Sequence, residues 1–172
     1  TLESSSAASD VYKRQIMSTI KDKSLAVVGQ QEVDWAARQM KVLEEIKTEF
    51  SNDKPLNGLN IGACMHVTKE TANLMLTLKA AGANVALCAS NPLSTKDSVA
   101  AYLAENDVEV HAVHGVSNDE FFKHLNSVLD TKPDITMDDG ADLVTLLLTD
   151  RSDITVMGSM EETTTGVIRL KS

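Results

Sequence analysis

The chain has 172 residues, 42% hydrophobic and 24% charged, with 16 Lys plus Arg against 25 Asp plus Glu and a formal net charge of −9. That length suits one well-buried domain and is short for two, and acidity spread along the chain without a basic block argues against a nucleic-acid partner. No apolar stretch approaches the roughly 20 residues that cross a bilayer, and the N-terminus lacks the basic-then-apolar order of a secretory signal, so no membrane association and a cytoplasmic location are expected.

Residues 1–16 are rich in Ser and Ala and carry no helical or strand period that runs on into the next segment. They read as a disordered tail or an extraneous segment, with Met17 a natural start and 17–172 the folded domain. From Gln31 to Phe50 the apolar residues Val33, Ala36, Met40, Leu43, Ile46 and Phe50 recur every three or four positions. This is the stripe of an amphipathic N-terminal helix.

After the Asn52-Asp53-Lys54-Pro55 break come five strand-like runs: Leu59–Ala63, Asn84–Cys88, Val108–Val113, Asp134–Met137 and Ile154–Met157. Helical stretches separate them. Glu70–Ala81 stops at Gly82, which suits a left-handed C-terminal end. Ser94 with Asp97, and Ser117 with Glu120, read as capping-type starts. Asp142–Leu148 supplies a shorter helix. Alternation at about two dozen residues predicts βαβ units, hence an α/β, Rossmann-like three-layer domain with a mostly parallel sheet of five or more strands. Cys64 and Cys88 fall on strands and read as reduced core residues, because they have neither metal-ligand nor disulfide-scaffold spacing.

The groups able to bind or titrate collect just past the strand ends, where ligands sit in open α/β sheets. These are His66, Thr68 and Glu70; Ser90, Asn91 and Ser94; His114; Asp138 and Asp139; and Glu161 to Thr165. Some of the hydroxyls are expected to do no more than cap helices. Because side chains alternate across a strand, one of Asp138 and Asp139 faces a cleft while the other turns to a helix or to backbone amides, and Glu161 and Glu162 divide in the same way. Gly140 allows a sharp turn or a close ligand approach, although Asp-Gly is also an ordinary turn. His66 suits proton transfer if a carboxylate shares its cleft. The four His lack metal spacing, so no metal is expected. No Gly-rich phosphate loop occurs, so a dinucleotide would need its cradle from elsewhere.

Four ordered stretches, Cys64–Ala72, Ser90–Asp97, Asp138–Leu143 and Glu161–Val167, resemble the N-terminal part of the adenosylhomocysteinase family. The resemblance runs from about Ile20 through Lys23–Ala26 and Trp35-Ala36 to the last residue. It implies reversible hydrolysis of S-adenosyl-L-homocysteine to adenosine and L-homocysteine with NAD as an internal redox cofactor, in a homo-oligomer. It also implies His66 and Asp139 as the proton-handling pair and Glu162 on the ribose hydroxyls, these three being the catalytic set. Thr68 and Glu70 would contact adenine, and Thr163, Thr164 and Thr165 the NAD. Asn91 and Ser94 belong to a matching cleft motif. Ser90 stands where many members have Cys, Lys96 where Gln is usual, and Lys41 where Pro often follows the Met. The family's remaining ribose-site Lys and Asp and its NAD-binding domain would lie beyond Ser172, so the chain alone is expected neither to hold NAD nor to turn over. The rival expectation is a non-catalytic module for binding an adenosine-type ligand or for assembly.

Overall fold

A computed structural model describes residues 18–172; the expectation for residues 1–16 lies outside that range. A short 3-10 turn at Lys23–Leu25 is capped by the Asp22 carboxylate, which accepts from Ser24 N. Seven helices come after it: α1 (Ala26–Ala37), α2 (Lys41–Asp53), α3 (Lys69–Ala80), α4 (Asp97–Glu105), α5 (Asn118–Asp130), α6 (Asp142–Leu148) and α7 (Thr164–Lys171). Five strands, β1 (Asn60–Cys64), β2 (Asn84–Cys88), β3 (Glu109–His111), β4 (Ile135–Asp138) and β5 (Gly158–Glu161), form one sheet in the order β3-β2-β1-β4-β5. Every pairing is parallel. Because β1 neighbours both β2 and β4, the strand order reverses there, and the β1/β4 crevice is the topological switch point.

The sheet is buried on both faces, which gives the three layers expected. On one face Ile61, Ala63, Val85, Leu87 and Val110 join Met75 of α3 and Val99 and Leu103 of α4. On the other, Cys64, Ala86 and Cys88 join Phe121, Leu125, Val128 and Leu129 of α5 and Leu143 of α6. Both cysteines are free and buried. The neighbouring Cys88 thiol and burial together push the Cys64 thiol well above its ordinary range, so it is protonated and inert. Among the described residues no helix is long and apolar enough to cross a membrane.

Three expectations are corrected. The N-terminal stripe belongs to two helices, α1 and α2, broken at Arg38–Met40. A stripe with three- and four-residue steps survives such a break, while close packing sets the path of α1: a Cβ on Gly29 would lie 2.0 Å from Ser98 O of α4. The fifth strand is Gly158–Glu161, not Ile154–Met157. It is an edge strand with three exposed residues, whereas Ile154 and Val156 pack as loop residues against the α5/α6 core. Ser94 caps no helix; α4 starts after Lys96, which makes no side-chain cap, and the Ser94 hydroxyl closes its own turn by donating to Asn91 O at 3.0 Å. The Ser117 and Glu120 capping box is present as expected, and Thr68 caps α3 by accepting from Thr71 N at 3.3 Å. Helix α7 has no counterpart in the sequence expectation.

Candidate functional site

The loop after β1 is stitched to the loop after β2. Met65 N donates to Cys88 O, Ser90 N to Met65 O, Val67 N to Ser94 O and Lys96 N to Val67 O, all between 2.8 and 3.2 Å. This ladder holds His66 at the sheet's carboxyl edge with its side chain 54% exposed. Across the switch point, Asp139 follows β4 and its amide donates to Cys64 O at 2.9 Å. The result is an imidazole–carboxylate pair: His66 Nε2 lies 3.1 Å from Asp139 Oδ2, and the Ser90 hydroxyl donates to that same oxygen at 3.3 Å.

Alternation separates the two adjacent aspartates. Asp139 faces the crevice, whereas Asp138 is 2% exposed and turns to helix α6, accepting from Leu143 N and Val144 N at 3.0 Å each. It does the work of a cap there, because the residue in the cap position, Ala141, has no side-chain donor or acceptor and sits at φ 65°. Burial pushes the Asp138 carboxyl up to about 6 against those two amides, with Glu161 and Asp142 adding repulsion. A value above that of the unfolded chain means that the fold favours the protonated form. The associated stability is present below about pH 4 and lost as pH rises through 6. We therefore expect Asp138→Asn to gain on the order of 2 kcal/mol relative to wild type between pH 4 and 7, measured as the difference between their urea midpoints; a constant difference would contradict this.

The two glutamates divide similarly. Glu161 turns inward and accepts from Gly140 N at 3.0 Å, Thr163 N at 2.9 Å and the Thr163 hydroxyl at 2.7 Å. Burial acts to raise its carboxyl, but these donors outweigh it and hold the group low. Glu162 is exposed, with its amide anchored on Asp138 O at 3.0 Å. Partial desolvation, Asp139 and Glu161 raise its carboxyl while His66 opposes them, so these four side chains belong to one electrostatic cluster.

Two clefts open beside this cluster. One, of about 650 Å³, is walled by Met40, Leu43, Ile46, Met65 and Leu74, with Glu70 and Glu162 among its polar lining. The other, of about 420 Å³, is lined by His66, Thr68, Glu70, Ser94 and Lys96. Glu70 borders both. An apolar slot with few polar groups suits a flat heteroaromatic ring, and Glu70 offers it an acceptor. Met40, Leu43 and Ile46 carry no sign of a site role in the sequence, since their contribution depends on where α2 packs.

The other expected residues lie on the same edge. Asn91 uses its side-chain oxygen to accept from Leu93 N at 3.0 Å. Thr163 caps α7, accepting from Gly166 N at 2.9 Å, so its hydroxyl is engaged within the loop. Thr164 and Thr165 are exposed in the first turn of α7. Hydroxyls and open amides at a helix N-terminus fit the phosphate and hydroxyl oxygens of a dinucleotide, so the donor set fits such a cofactor at Thr164 and Thr165 better than at Thr163. Lys96 is tied to Glu32 of α1 at 2.5 Å, and Lys69 lies 3.9 Å over the Trp35 ring, which fixes the basic rim of the second cleft.

Residues 17–156 match the family described as S-adenosyl-L-homocysteine hydrolase. The chain is 50% identical over 158 residues to an S-inosyl-L-homocysteine hydrolase of Methanococcus maripaludis, covering 91% of this chain and 38% of that protein. It is 48% identical over 155 residues to an adenosylhomocysteinase of Pyrococcus abyssi and 50% identical over 156 residues to one of Aquifex aeolicus, each alignment covering 89% of this chain and 37% of the relative. The chain thus spans somewhat more than a third of the length of these relatives.

Proposed function

Since the chain belongs to the S-adenosyl-L-homocysteine hydrolase family, we propose that it is the substrate-binding part of an enzyme that reversibly hydrolyses S-adenosyl-L-homocysteine to adenosine and L-homocysteine. The observation that carries the proposal is the His66–Asp139 pair at the switch point, 3.1 Å apart, with Glu162 in the same cluster. An imidazole and a carboxylate in contact can hand a proton either way, and a reversible reaction at one carbon needs that.

In this reading the purine lies in the slot between Met65 and Leu74 with Glu70 on its edge, and the Glu162 carboxylate accepts from the ribose hydroxyls. The His66–Asp139 pair then faces the 5′ position. It delivers a proton to the departing sulfur, and in the second half takes one from the water that adds at C5′. NAD, when bound at Thr164 and Thr165, supplies a transient oxidation of the 3′-hydroxyl, which acidifies the C4′ proton and makes loss of the thiol an elimination. The protein's share is positioning, exclusion of water and proton movement. The full enzyme is proposed to be a cytoplasmic homo-oligomer, and this chain by itself to bind nucleoside without turnover.

Amide NMR on this chain tests the binding half. Millimolar adenosine is expected to shift Thr68–Thr71, Asp139-Gly140 and Glu162–Thr165, and an unperturbed spectrum from folded protein would overturn the proposal. The same titration with inosine ranks the 6-amino against the 6-oxo purine, the distinction between the names of the Pyrococcus and Methanococcus relatives.

A further inference from the structure

Gly166 closes the Glu-Glu-Thr-Thr-Thr-Gly run, and its surroundings account for a glycine there. A Cβ on Gly166 would lie 2.2 Å from the Glu161 carboxyl carbon and 2.4 and 2.5 Å from its two oxygens. The Glu161 carboxylate therefore occupies the space that any other residue at 166 would fill, and Gly166 is buried beneath it.

From that position the carboxylate reaches Gly140, the residue after Asp139. Gly140 N donates to Oε1 at 3.0 Å and Oε2 at 3.3 Å. The same residue is gripped on its other side, where Arg169 Nη1 of α7 donates to Gly140 O at 2.9 Å and pairs with Asp142 at 2.6 Å. Gly140 has φ 117°, a conformation open to glycine and costly for other residues. Glu161 at the end of β5 and Arg169 of α7 hold it from its amide and its carbonyl. Thr163 completes the arrangement by donating both its amide and its hydroxyl to Glu161.

We propose that Glu161, seated on Gly166 and assisted by Arg169, is a positioning residue that clasps the Asp139-Gly140 loop to the Glu162–Thr165 loop, so that the proton-handling and ribose-binding carboxylates keep one fixed relation. The inference rests on the proposed nucleoside site for its functional meaning, and on the hydrogen bonds alone for its physical content. It assigns the inward glutamate a role distinct from that of its neighbour. The three donors on Glu161 set where the loop sits, and its negative charge, like that of Asp139, raises the Glu162 carboxyl while His66 opposes both.

The test uses Glu161→Gln, Glu161→Ala and Gly166→Ala in this chain, read without any ligand. Hydrogen exchange at the Gly140 amide is expected to accelerate roughly ten- to hundred-fold in Glu161→Ala, the usual consequence of losing a charged acceptor. Glu161→Gln retains an acceptor oxygen and should restore most of the protection. Gly166→Ala displaces the flexible end of Glu161 without unfolding the chain and should reproduce the alanine variant. Carbon-detected titration of Glu162 should move to a lower midpoint in both Glu161 variants, a change that a purely structural role would not cause. Unchanged exchange at Gly140 in folded Glu161→Ala would overturn the clasp, whatever the Glu162 midpoint does. Because these readouts need no nucleoside, a wild-type chain that ignores adenosine would sink the binding proposal and leave this one standing.

Discussion

In a full-length enzyme carrying this segment, Asp139→Asn is expected to lower kcat by ~10²–10⁴-fold, the usual worth of a positioned general acid or base. The substitution preserves shape and the amide contact to Cys64 O, which is a backbone bond. What it removes is the charge opposite His66 Nε2, while an amide oxygen remains to accept from the Ser90 hydroxyl. A neutral amide at that place still touches the imidazole but cannot exchange a proton with it. KM should change much less than kcat, since the cleft walled by Met65 and Leu74, proposed to take the purine, and Glu162 stay in place. A near-normal kcat with a raised KM would mean that Asp139 binds substrate without moving protons.

Leu125→Ala is expected to be strongly destabilising. Leu125 has no exposed surface, and it packs from α5 into the cluster that includes Cys64 and Cys88 of the central strands. Removing a buried leucine costs about 2–5 kcal/mol, through lost transfer energy and the cavity left behind. For a domain of this size that corresponds to roughly 5–15 °C in Tm. Phe122→Ala on the same helix is the control, because Phe122 is 51% exposed and should cost far less. Equal losses from the two substitutions would mean that the α5 face is not packed as described.

Local signals in the sequence translate directly into structure. The Ser117 and Glu120 capping box lies within one helical turn, and both reciprocal bonds form. Asp97 shows the limit of that logic. It is the first residue of α4, where its carboxylate accepts from His114 N and pairs with Lys21, partners far away in sequence. The apolar run at Ile154–Met157 reads as a strand because a short apolar stretch looks the same in a strand and in a loop pressed onto the core. The true edge strand, Gly-Ser-Met-Glu, is mostly exposed and has little apolar pattern to reveal it.

The site is more legible than the elements around it. Loops after parallel strands converge on one edge whatever the exact strand ends, so shifts of one residue in β1 and β4 leave His66 and Asp139 facing each other. Alternation foretells that each acidic pair will divide, and it does, with Asp138 and Glu161 turned inward. Which member turns cannot be read from spacing. That choice depends on the amides of α6 and the bare surface of Gly166, both of them tertiary.

The two margins of the sheet differ. Beside β3, Thr19 pairs in parallel with His111: its amide donates to Val110 O at 2.8 Å and its carbonyl accepts from Ala112 N at 3.0 Å. That bridge covers the β3 border around His111. Beside β5 no described strand lies outside Gly158–Glu161, and Met157 and Met160 stand exposed there. Edge-to-edge pairing on the β5 side would meet an unpaired backbone edge directly beside Glu161 and Glu162.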